Sequence, residues 1–120
     1  MRKAFLATVA VLALTGTACS SEGGDSGGSC TNDNATALTG TLTIENFAFG
    51  PGCFSVASGA SISVENKDSM PHTFTADSAD VAVDVKLSPG ASGSGTAPAA
   101  GTYGFHCSIH PEMTGTMIVT

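Results

Sequence analysis

Apolar and polar residues alternate in short bursts along most of this chain. Nowhere do they recur at helical spacing for ten residues or more. Thr41-Leu-Thr-Ile-Glu-Asn-Phe47 alternates as a half-buried strand would, and Ser61-Ile-Ser-Val-Glu65 repeats the pattern. Gly50-Pro51-Gly52 and Ser58-Gly59-Ala60 supply turn chemistry on either side of Cys53-Phe-Ser-Val56. Asn66-Lys-Asp-Ser69 is a loop, and His72-Thr-Phe-Thr75 is short and β-prone. From Asp80 to Leu87, Val81, Val83, Val85 and Leu87 alternate with Ala82, Asp84 and Lys86. Ser88-Pro89-Gly90 breaks the chain, and the stretch from Ala91 to Ala97 is the weakest strand pattern. Pro98 to Gly101 turns into Thr102 to Cys107, and Thr114 to Thr120 forms the last strand. Seven or eight short strands at this spacing predict an all-β, antiparallel sandwich.

The pattern is different before Leu38. Met1-Arg2-Lys3 is basic, the eleven residues from Ala4 to Leu14 form an apolar run interrupted only by Thr8, and Thr15-Gly-Thr-Ala18 is small. This predicts a secretory signal over residues 1–18, too short to span a bilayer as a mature helix. Cys19 follows directly and is expected to be a lipidated first residue, although Gly16 stands where such sites commonly have Leu. Ordinary cleavage after Ala18 is the alternative. Ser20 to Thr39 is nearly all Ser, Gly, Asp, Asn and Thr, so residues 19–38 read as a flexible tether and residues 39–120 as one domain. The expected location is the periplasm or the outer face of the cytoplasmic membrane. A domain of this size gains from a metal or a disulfide.

Without residues 1–18, Lys67 and Lys86 face ten acidic residues, a formal charge of −8. Such a surface excludes nucleic acid, whose phosphates need Lys and Arg, and leaves a lipid anchor at Cys19 as the only expected membrane attachment. A basic or mixed-charge protein partner suits it, steered more strongly at low salt.

The chemistry concentrates in Tyr103-Gly-Phe-His-Cys-Ser-Ile-His-Pro-Glu-Met-Thr-Gly-Thr-Met-Ile-Val119. Cys107, His110 and Met113 stand three residues apart between two expected strands. With His72, 35 residues upstream, they make two imidazoles, a thiolate and a weak axial thioether, the donor set of a blue-copper site. Zinc is the rival metal, but structural zinc seldom uses Met. Strand alternation points His106 away from Cys107, and Met117 alternates with Val119 as a core residue. If Cys19 carries lipid and Cys107 binds metal, Cys30 and Cys53 remain to pair in an oxidising compartment. Two free thiols, a bridge to Cys19, or a bridge from Cys107 to Cys30 or Cys53 remain alternatives.

His72, followed by Tyr103-x-Phe-x-Cys107-x-x-His110-Pro-x-Met113-x-Gly115-x-x-x-Val119, resembles the cupredoxins. Phe47-x-Phe49-x-Pro51, Val56-x-x-Gly59 and Val64-x-Asn66 extend the likeness over nearly the whole domain. The two residues between His110 and Met113, with Met70-Pro71-His72, are similar to amicyanin and its relatives. Thr73 departs from the family, which commonly places Asn there. The resemblance implies a Greek-key β-sandwich holding one copper ion, Cu(I)/Cu(II), at one end through His72, Cys107, His110 and Met113. Pro111 would stiffen the loop and Gly115 would allow a tight return into the last strand. The His110 edge would be the electron's exit, amid an apolar patch of Met70, Pro71 and Pro111, with Asp77, Asp80, Asp84 and Glu112 helping to choose the partner.

The implied function is one-electron carriage between redox proteins by a monomer that is not an enzyme. An extracytoplasmic copper-handling protein is the alternative, although its usual Met- or His-rich tract is missing. A copper enzyme would need a second, histidine-built centre, and the chain has three histidines in all.

Overall fold

The computed structural model describes residues 29–120. The expected signal sequence, Cys19 and residues 19–28 of the tether lie outside the described residues. Among the described residues there are ten strands and no helix: β1 (Thr36–Ala37), β2 (Leu42–Glu45), β3 (Ala48–Gly50), β4 (Cys53–Val56), β5 (Ser61–Asn66), β6 (His72–Ala76), β7 (Asp84–Leu87), β8 (Ser92–Thr96), β9 (Gly101–His106) and β10 (Thr114–Val119). They form two sheets, ordered β1-β4-β10-β9-β6-β7 and β3-β2-β5-β8. The fold is the expected all-β sandwich, with very short strands such as β1 raising the count to ten.

Alternation explains the core. Leu42 and Ile44 of β2, and Ile62 and Val64 of β5, turn inward, while Thr43, Ser61 and Ser63 do not. Opposite them lie Phe54, Phe74, Val85, Leu87, Phe105 and Met117. Phe105 sits among three other rings, with centroids 4.9 Å from Phe49, 4.9 Å from Phe74 and 5.6 Å from Phe54. Burying each such ring contributes about 1.5–3 kcal/mol. A Cβ on Gly93 of β8 would strike Val85, so glycine there lets the two sheets close together.

Three features depart from the pattern reading. Pairing is mixed: β1 with β4, β4 with β10, and β2 with β5 run parallel, because alternation reports a strand's buried face and not the direction of its neighbour. The alternating run from Thr41 to Phe47 stops at Glu45, where Asn46 and Phe47 turn the chain into β3 with φ of 53° and 59°. Residues 30–38, read as tether from composition, are tied to the body. Cys30 is bonded to Cys53 with Cα atoms 5.6 Å apart, and β1 adds a short parallel edge. A cross-link over 23 residues contributes about 3 kcal/mol by constraining the unfolded chain.

Candidate metal centre

β6 begins at His72, while β9 ends at His106 and pairs with Thr114 at the start of β10. The connection Cys107–Met113 therefore lies at the same end of the sandwich as His72. It is closed by its own backbone: the Cys107 amide donates to the Met113 carbonyl at 3.0 Å, and the Met113 amide to the His110 carbonyl at 2.9 Å. Gly115 is required for space and not for a turn. A Cβ there would collide with the Phe105 ring and the Gly52 carbonyl.

The fold brings three of the four expected donors face to face. Cys107 Sγ lies 3.7 Å from His72 Nδ1 and 3.7 Å from His110 Nδ1, and the two nitrogens are 3.1 Å apart. Cys107 and His72 are buried and His110 is half-buried. Met113 is buried in the same apolar cluster as Cys107 at the far end of the loop. Cys107 carries no disulfide. His106 points elsewhere, its Nδ1 on Asp77.

Burial opposes the Cys107 thiolate. The Thr73 amide, donating to Sγ at 3.3 Å, and the two imidazoles outweigh it and bring the thiol from 9.0 down to about 6. Thr73 also receives the Ser108 amide on Oγ1 at 2.8 Å, so its hydroxyl ties β6 to the Cys107 loop.

His72 is held from behind. Its Nε2 donates to Asp68 Oδ2 at 2.8 Å, which keeps the proton on Nε2 and leaves the Nδ1 lone pair facing the cluster. Asp68 also accepts the Asn46 amide at 2.7 Å and the Phe47 amide at 3.0 Å. The Phe47 amide foremost, against some desolvation and helped by the Asn46 amide and His72, lowers the Asp68 carboxyl. Buried Asn66 fixes this loop, its Nδ2 donating to the Met70 carbonyl and its Oδ1 accepting the Asp68 amide. The Phe47 ring stands nearly perpendicular to both imidazoles, 5.3 Å from His72 and 5.1 Å from His110.

Asp68 and the Phe47 turn were not found from sequence. The signal for Asp68 is its place four residues before His72. Phe47 fits strand alternation too well to announce a turn.

Comparison with known proteins agrees with this geometry. A family model described as a cupredoxin-like domain matches residues 5–119. The chain belongs to the cupredoxin-like family. Solved structures similar to this cupredoxin-like chain include a purple cupredoxin from Nitrosopumilus maritimus, at 20% identity and TM-score 0.59, covering 67% of this chain and 98% of that one. A reduced proline-to-phenylalanine variant of amicyanin matches at 23% identity and TM-score 0.59, over 75% of this chain and 86% of that one. An oxidised proline-to-alanine variant matches at 24% identity and 0.58, with the same coverage. A search of curated proteins finds no match.

The residues suit the metal that the cupredoxin-like fold implies. Metal bonds of about 2.0–2.3 Å in a trigonal plane would set nitrogen and sulfur about 3.8 Å apart and two nitrogens about 3.5 Å apart. The observed 3.7 Å and 3.1 Å match donors turned toward one centre. A thiolate with two imidazoles is a soft, copper-favouring set. Fold and donors together support a single copper ion.

Proposed function

We propose that this protein is a one-electron carrier whose type 1 copper would be held by His72, Cys107 and His110, with Met113 as the fourth, weaker donor. The observation that carries the reading is the convergence of two Nδ1 atoms and one Sγ at 3.1–3.7 Å, around a cysteine without a disulfide. Bound copper supplies the Cu(I)/Cu(II) couple. The protein's own part is to keep the donors in place. Thr73 and the imidazoles hold Cys107 as thiolate, Asp68 sets the His72 tautomer, and the short loop is closed by backbone bonds from Cys107 to Met113 and from Met113 to His110. Similar amicyanin structures are described in reduced, oxidised and Cu(I) states.

Electrons enter and leave at the half-buried His110 edge, where exposed Met70, Pro71, Ile109 and Pro111 offer an apolar face to a redox protein donor or acceptor. The protein acts as a monomer outside the cytoplasm, exported by residues 1–18 and anchored by lipid at Cys19. The tether is the stretch from Cys19 up to Cys30, and the cupredoxin domain takes in the chain from Cys30 on. Among the described residues no helix is long and apolar enough to cross a membrane.

The test is the visible spectrum of the protein loaded with Cu(II). A strong thiolate-to-copper band, bleached by ascorbate and restored by an oxidant over repeated cycles with copper retained, is the expected result. A colourless complex overturns the ligand assignment, and loss of copper on reduction favours copper delivery over electron carriage.

A further inference from the structure

We propose that Phe47 is a positioning residue of this centre: its ring holds the His110 imidazole in the orientation that points Nδ1 at Cys107. The inference rests on His72, Cys107 and His110 being the copper ligands. Phe47 occupies the second central position of a two-residue hairpin turn between β2 and β3, with both φ values positive. Such turns favour Asn followed by Gly, since a side chain strains this backbone. Asn46 obeys the rule and Phe47 breaks it. Burial does not explain the exception, because Phe47 is 49% exposed.

The ring instead faces the centre, meeting His72 at 88° and His110 at 84°. Asp68 binds the amides of both turn residues and, through the same carboxylate, His72 Nε2. Turn, ring and buried ligand thus form one braced unit. His110 stands outside it. Among the described residues its ring has no hydrogen-bond partner beyond Cys107 and His72. The Phe47 ring is the contact that extends the brace to His110. A local rule broken beside a functional cluster is the mark of a residue selected for that cluster.

The test compares wild type, Phe47→Leu and Phe47→Gly, each expressed from the full chain. Leu keeps apolar bulk without the ring, and Gly suits the turn. Each copper-loaded protein is challenged with excess EDTA while the visible band is timed. An edge-on ring contact shifts an equilibrium about 2- to 12-fold, so both variants should release copper up to about 10-fold faster. The copper-free Phe47→Gly protein should unfold at or above the wild-type temperature, because glycine relieves the turn. A merely structural Phe47 would show the reverse, a lower unfolding temperature with unchanged release. Release within twofold of wild type in both variants overturns the proposal.

If wild type takes up no coloured copper, the ligand reading has failed, and copper-free protein then decides the matter by NMR. Phe47→Gly should move the His110 ring-proton signals to averaged positions, while those of Asp68-bonded His72 move less. His110 signals identical to wild type would sink the idea.

Discussion

His72 and His110 offer the same atom to the same point, yet the protein grips them differently. His72 opens a sheet strand, is 1% exposed, and has its outer nitrogen fixed by a carboxylate that two backbone amides hold in turn. His110 sits on a seven-residue connection, half-buried, with an aromatic ring against it. One imidazole is set by directed hydrogen bonds inside the fold, the other by shape at its surface. The electron carriage proposed above needs both: donors that do not move, and one edge that a partner can reach.

The largest perturbation removes what the two halves share. Cys107→Ser deletes the soft donor and should abolish the visible copper band entirely, and a surviving blue colour would refute the assignment. In copper-free wild type, the ultraviolet thiolate absorbance should titrate with a midpoint at about 6. This thiol lies below its unfolded value, so its stabilising contribution is full above about pH 8.5 and is lost as pH falls through the folded value.

Gly115→Ala attacks the loop side. Its Cβ meets the Phe105 ring and a backbone carbonyl, and such overpacking costs about 1–3 kcal/mol in chemical denaturation. An unchanged midpoint would mean that Phe105 yields easily. Thr73→Val cuts the tie between the halves while keeping shape. It should cost about 1 kcal/mol by losing the bond from Ser108, and Thr73→Ser should recover most of that.

The smallest effect is confined to acid. Asp68 titrates below its ordinary value, so its contribution is complete above the unfolded pKa of about 3.9 and vanishes as pH falls through the lower folded one. Thermal melts of copper-free Asp68→Asn should therefore vary less with pH across that window than those of wild type. Equal slopes would deny Asp68 its role behind His72.

The side of the centre that sequence revealed is the side built from close neighbours. Cys107 and His110 sit three residues apart on one loop, and their meeting could be anticipated from spacing. Leu42, Ile44, Ile62 and Val64 declare a buried face by alternation alone. What stayed hidden depends on distant partners. Asp68 looks like any loop acid until the Asn46 and Phe47 amides arrive from 22 and 21 residues away. Phe47 reads as the next strand residue because alternation registers hydrophobicity and not backbone hand. Thr73 looked like a departure, yet its hydroxyl links the His72 strand to the Cys107 loop, reaching Ser108 35 residues away.

The sulfur bridge at the sheet edge also has a mechanical side. Cys53 lies beside Thr116, and β1 runs alongside β4 in the same direction. A tug on the chain before Cys30 is delivered through a covalent link to Cys53 and so into the β4–β10 ladder. Residues 31–38 are bypassed by this covalent path. The pull therefore enters the body at the head of β4, beside Thr116 of β10, and not through β1.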